Sequence, residues 1–298
     1  MASKLNAEEM GIAVPEPGRS PSARSGLVPK AAVAWIDTVG RFGESRVSRG
    51  LQYVLLPLGI IITWEILCRS GAVKPMALPS PTKVGATLWS FIASGVLFIH
   101  VGVSVLRVLE GFAIATVLGL VLGVGVGISK ILARLTDLII QLLRPIPPIA
   151  WIPLAILWFG IGELSKVYII FLGAFFPIIM GVIEGIRQTD NRYVELANVL
   201  EVSRWRFIRK VVLPGALPSI MTGLRVGLGS AWVCVVAAEL IAAERGVGFI
   251  IVDGREMSQP DVVITGMISI GVIGKLMDVA IKTVQGRLVR WNTQYAGD

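Results

Sequence analysis

Histidine occurs once and cysteine twice in 298 residues, and this scarcity removes several kinds of chemistry at once. Cys68 and Cys234 both fall in apolar stretches, so they form neither a disulfide framework nor a metal set and read as packing residues. His100 has no Cys or His ligand nearby in the sequence and reads as structural. Charge is scarce too. Asp, Glu, Lys and Arg make up 16% of the chain against 54% hydrophobic residues, with a mean hydropathy of +0.75. A single soluble domain is never this apolar, so the chain reads as an all-α integral membrane protein. No cluster of His, Asp and Ser lies inside the apolar runs, so no catalytic residue is expected. The glycines at 123, 125 and 127 precede Ile128, Ser129 and Lys130 without the Gly-Lys-Ser/Thr ending of a phosphate loop. No metal ligand and no bound cofactor are expected, and any ATP hydrolysis is expected from another chain.

What is present is a series of apolar runs, at 51–68, 111–128, 145–162, 167–183, 226–238 and 262–274. About 20 helical residues cross ~30 Å of hydrocarbon, and the last two runs reach that length when extended over 221–225 and 275–281. About six transmembrane helices are therefore expected. Basic residues set the orientation. With both termini in the cytoplasm, 18 Lys and Arg fall inside and 6 outside, the asymmetry of the positive-inside rule. The net charge of +8 is mostly this topology signal. Nucleic-acid binding is not expected, since no basic face carries interleaved aromatics.

The organisation follows. Residues 1–30, rich in Pro, Gly and Ser without apolar periodicity, predict a flexible cytoplasmic tail. Ala32, Trp35, Ile36, Val39 and Phe42 share one helical face, which predicts an interfacial helix over 31–48. Residues 49–285 are the transmembrane part, and 286–298 a cytoplasmic C-terminal tail.

Three patterns stand out within the transmembrane part. Gly111, Ala115, Gly119, Gly123 and Gly127 recur every fourth residue, which places small side chains on one face for close helix packing. Arg144, Pro145, Pro147, Pro148, Trp151 and Pro153 form a proline-interrupted stretch. Irregular backbone at membrane depth survives only when buried in protein or lining a wet path, so these residues are candidates for a solute pathway, with a packing kink as the other reading. The third pattern is a charged amphipathic island at 193–214, inside a loop spanning 190–214. It carries Glu195, Glu201, Arg204, Arg206, Arg209 and Lys210 beside Leu196, Leu200 and Phe207. It reads either as a docking surface for a cytoplasmic partner or as a solvated basic loop.

Several segments in order resemble one family, the permease subunits of bacterial binding-protein-dependent ABC importers, in the branch handling taurine, aliphatic sulfonates, nitrate and bicarbonate. The resemblance covers about residues 50 to 290. It is carried by LPSPTKV at 78–84, by Ser104, Arg107 and Gly111, and by RPIPPIAWIPLAILWFGIGELSK at 144–166. YVELANVLEVSRWRFIRKVVLPGALPSIMTGLRVGLGSAW at 193–232 and AAELIAAERGVGF at 237–249 complete it. The island is similar to the family's coupling motif, a Glu-Ala-Ala, three residues, a Gly, and a closing Leu-Pro pair. Here Glu195, Leu196, Ala197, Leu200, Glu201 and Pro214 occupy that pattern, with Leu196 in place of Ala and Glu201 in place of Gly. The resemblance implies a type I ABC importer permease fold with a cytoplasmic coupling helix. It further implies a homodimer in the bacterial inner membrane, two copies of a separate ATP-binding subunit, and a periplasmic or lipid-anchored solute-binding protein. A self-sufficient secondary transporter or channel is the competing reading, and Glu65, Glu110, Glu239 and Asp278 are the acidic residues it would use. For Arg107 and Arg225, structural forks bonded to helix-end carbonyls are expected. At Glu201 a turn with positive φ is expected, followed by Ser203 as a helix cap.

Overall fold

The computed structural model describes residues 46–289. The predicted tail 1–30, the predicted interfacial helix up to residue 45 and residues 290–298 lie outside the described residues. The chain divides into two units, residues 1–63 and 64–298, and the boundary falls inside the first helix, α1 (Arg46–Arg69). In the first unit the described residues are helical, with Pro57 inside the helix and the Thr63 hydroxyl donating to the Gly59 carbonyl at 2.8 Å.

The second unit is helical throughout, with no strand among the described residues. α2 (Pro81–Ala93) starts at the LPSPTKV motif, and local chemistry explains why. Ser80 is the N-cap and accepts from the Lys83 N–H, Pro81 sits in the first turn where a missing N–H costs nothing, and Thr82 bonds Glu65 at the end of α1. Lys83 and Thr87 reach Asp261 at 3.1 and 2.7 Å. The motif therefore clips α2 to α1 and to the start of the last helix.

α3 (Val96–Ile128) and α6 (Glu163–Arg187) form the centre with α9 (Leu213–Ala242). The glycine stripe of α3 faces α6. A Cβ at Gly119 would stand 2.8 Å from the Ile178 side chain, and one at Gly123 would stand 2.7 Å from Val182. On the other side of α6, the backbones of Gly181 and Gly223 approach so closely that neither position accepts a side chain. Small residues thus let three helices close on one another where hydrocarbon outside provides no hydrophobic drive. Ile169, Ile170, Ile178, Val182 and Val235 fill this centre and are fully buried. Cys234 packs there as well, against Gly173.

The proline-rich stretch differs from its expectation. Residues 145–162 are not a span. An amphipathic helix, α4 (Lys130–Leu143), starts at the N-cap Ser129, and no residue of it is buried. Pro145 and Pro147 lie in the break that follows. Pro148 opens a 3₁₀ turn (Pro148–Trp151), and Pro153 sits in the first turn of α5 (Ile152–Phe159). Eight residues rise only ~12 Å. α4 joined to the 3₁₀ turn and α5 forms one broken pair, bent by 88°.

After α6 come α7 (Asn191–Val199), α8 (Arg204–Phe207), a π turn (Ile208–Val212) and α9. The helical path resumes at Arg204 and runs to Ile241, so the island merges into the next span instead of closing at Pro214. The π turn has a local cause. Pro214 has no N–H for the Lys210 carbonyl, and Leu213 reaches back five residues to Ile208 instead of four. α10 (Val247–Glu256) and α11 (Pro260–Leu288) end the described chain. Among the described residues four helices are long and apolar enough to cross a membrane alone, and five spans result if the bent pair counts as one. The remaining run of the six, 51–68, lies on α1.

Candidate functional site

Two regions carry the functional geometry. The first is the helix pair at the end of α6. Asp190 caps α7 by accepting the Arg192 N–H at 2.9 Å. No residue of α7 is buried: Tyr193, Leu196 at 53% and Val199 are exposed, as are Leu200 at its C-cap at 63% and Trp205 on α8 at 71%. Glu195, Glu201 and Pro214 are exposed too, and Ala197 is half-buried. Five of the six, Glu195, Leu196, Ala197, Leu200 and Glu201, thus lie on or just after α7, whose larger apolar side chains are exposed, while Pro214 lies apart in the first turn of α9.

The turn after α7 has the geometry expected for the position where Glu replaces Gly. Glu201 adopts φ 53°. Its N–H bonds the Asn198 carbonyl at 3.2 Å, and the Val202 N–H bonds the Ala197 carbonyl at 2.9 Å, the paired bonds of a Schellman stop that ordinarily takes glycine. Ser203 occupies the N-cap of α8, but its side chain makes no capping bond, so the cap expected there is positional only.

The second region is a cavity of about 1030 Å³ between α6, α9 and α11, reached also by Arg144, Ile146 and Pro148. Its polar lining includes Arg144, Arg225, Lys282 and Glu184. A smaller cavity of about 580 Å³ is lined by Arg144 and Pro145 together with Arg187 and Asp137. Of the proline-stretch candidates, Arg144, Pro145 and Pro148 therefore line cavities. Pro147, Trp151 and Pro153 line neither, and Trp151 packs on the central core.

The two arginines expected to bond helix-end carbonyls do something else. Arg225 makes a two-pronged pair with Asp278 on α11, Nε to Oδ1 at 2.6 Å and Nη2 to Oδ2 at 3.0 Å. Arg107 does bond one carbonyl, that of Arg245 at 2.6 Å, but its main partners are carboxylates. It donates to Glu163 at 2.5 and 2.7 Å and to Glu239 at 2.8 Å. His100, read as structural, bonds the Gly246 backbone and stacks on Phe249. Sequence reasoning missed this knot as a unit, although Ser104, Arg107 and the 237–249 segment were each visible. Among the described residues no group of His, Cys, Asp and Glu is placed to hold a metal ion.

Residues 115–291 match the family described as binding-protein-dependent transport system inner membrane component. SsuC of Bacillus subtilis (strain 168), named as an aliphatic sulfonates transport permease protein, is 41% identical over 247 residues, 83% of this chain and 90% of that protein. The taurine transport system permease protein TauC of Escherichia coli (strain K12) is 35% identical, covering 83% of this chain and 92% of its own length. The bicarbonate transport system permease protein CmpB of Synechococcus elongatus is also 35% identical, over 83% of this chain and 94% of its own. Among solved structures, a chain of the MetNI methionine ABC transporter in an inward-facing conformation superposes with a TM-score of 0.53 at 22% identity, over 65% of this chain and 97% of that one, a likeness of fold. The length matched and the identity to these relatives make this chain a member of the binding-protein-dependent transport family, an inner membrane permease component of an ABC importer.

Proposed function

We propose that this permease carries a small anion of the sulfonate, nitrate or bicarbonate kind, acts as a homodimer with both termini in the cytoplasm, and is driven by ATP held on two copies of a partner ATPase. The observation that carries the reading is the unpartnered apolar side of α7, where Leu196 and Leu200 are more than half exposed beside Glu195 and the Glu201 turn. A short helix presenting apolar anchors fits a groove on a partner subunit. Coupling then needs no site for nucleotide on this chain. ATP and the loaded solute-binding protein, periplasmic or lipid-anchored, drive the cycle by preferring different states of the permease.

The basic lining of the larger cavity supports an anion as the solute. An ion-gradient mechanism would need acidic groups free to titrate within the spans. Of the four acids that mechanism would use, Glu65, Glu239 and Asp278 each hold a basic partner, Arg69, Arg107 and Arg225, and exposed Glu110 on α3 is the exception. The test is co-expression with a cognate ATPase subunit and a solute-binding protein. Uptake into proteoliposomes should require both partners and ATP. Uptake by the permease alone, following an ion gradient, would overturn the reading.

A further inference from the structure

The cavity wall contains one cation whose orientation is fixed. Arg225 is 41% exposed and Asp278 31%, and only the arginine lines the larger cavity. The carboxylate takes Nε and Nη2 at 2.6 and 3.0 Å. Nη1 has no hydrogen-bond partner among the described residues, so its two N–H groups remain available on a residue that lines the cavity. Thr222, Ser219 and Ser230 of the same helix line the same space, and Lys275 stands 3.7 Å from the far oxygen of Asp278.

From this geometry we infer that Arg225, set in position by Asp278, is an anion-binding step on the solute path, recognising an oxyanion such as a sulfonate, nitrate or bicarbonate. The inference rests on the anion reading above and gives it a residue. Asp278 is a positioning residue with two effects. It fixes the guanidinium plane on one edge, leaving the other edge as a preset donor pair. It also offsets most of the positive charge. A bare guanidinium at membrane depth would hold an anion too firmly, whereas conduction needs a site that binds and then releases. Arg144 and Lys282 keep the rest of the cavity basic against the single acid Glu184, so the anion meets attraction without a trap.

The alternative role for the pair is a simple tie between α9 and α11, and a charge swap separates the two. Arg225→Asp combined with Asp278→Arg keeps the tie and puts a carboxylate on the path. Uptake of labelled ethanesulfonate, nitrate or bicarbonate is measured in proteoliposomes holding the complete transporter, using whichever of the three the wild type carries. The expected result is at least a tenfold loss in the swap, with co-elution of permease and ATPase retained. Wild-type uptake in the swap would overturn the inference while leaving the anion reading standing. Two single variants keep the test decisive if the swap does not assemble. Arg225→Lys retains a cation and should keep a third or more of uptake, while Arg225→Gln should lose at least tenfold. Equal uptake by the two would overturn the inference. A wild type that couples ATP to a cationic or neutral solute and carries none of the three anions would overturn the anion reading and this inference together.

Discussion

Ser104 donates its hydroxyl to the fully buried carboxylate of Glu239, at 2.7 and 2.9 Å from the two oxygens, and accepts the Val247 N–H at 2.9 Å in return. Glu239 also takes Arg107 and the Gly248 N–H. One carboxylate therefore ties α3, α9 and the start of α10, where its charge complements the helix N-terminus.

Glu239→Ala leaves the buried Arg107 without one of its two carboxylates, and breaking a buried pair on one side costs about 3–5 kcal/mol. Glu163 is 60% exposed but pairs both the buried Arg107 and the buried Lys166, so water replaces part of its contribution and the amide oxygen of Glu163→Gln still accepts from both, for a cost of about 1–3 kcal/mol. Thermal unfolding of the detergent-solubilised permease should rank the two variants in that order. Equal losses would mean that the knot is not dry.

Gly119→Leu forces a side chain into Ile178 across the α3–α6 contact, and overpacking of this kind costs about 1–3 kcal/mol. Gly125, six residues along α3 and on another face, has nothing within 4 Å of an added Cβ. Gly125→Leu should leave thermal stability unchanged, measured in the same way.

Glu201 and Ser258 are the two non-glycine residues with positive φ among those described, at 53° and 54°. Ser258 ends α10 with the same pair of bonds, its own N–H to Arg255 and the Gln259 N–H to Gly254. Glycine relieves a left-handed residue of about 1 kcal/mol of steric cost. Glu201→Gly and Ser258→Gly should each raise the melting temperature, and Glu201→Gly should keep uptake. If uptake and ATPase binding fall at unchanged stability, the Glu201 side chain is itself a contact to the partner.

Glu195→Lys, or a bulky charged residue at half-buried Ala197, should abolish uptake while the permease still assembles in the membrane, because a docked helix accepts neither overpacking nor reversed charge. Uptake assays paired with co-elution of the ATPase decide this. Normal values for both would reduce the segment to a solvated loop.

The purified permease should hydrolyse no ATP until the ATPase subunit is added. Turnover that tracks this chain alone through successive purification steps would contradict the proposed division of labour.

Legibility from sequence followed distance along the chain. The glycine stripe and the Glu201 turn were readable because each is written in consecutive turns of one helix or in five neighbouring residues. Ser104 and Glu239 are 135 positions apart, and nothing in composition or periodicity pairs them. Arg225 and Asp278 are separated by 53 residues, so the fork was expected but its partner was not. α4 does not stand out in the sequence because Arg134, Asp137 and Gln141, which share its polar face, break up the apolar run along the chain, and a search for uncharged runs passes over an amphipathic helix. α2 and α10 are short helices whose apolar residues are too few to stand out beside the spans.

The π turn between α8 and α9 gives the linkage a gear-like property. Each residue advances a helix by about 100°, so removing one residue from 208–212 would rotate the exposed Trp205 around the axis while leaving the membrane-crossing part in place. The orientation of the exposed helix pair relative to the membrane-crossing helix is therefore adjustable by insertion or deletion at one spot, without redesign of either surface.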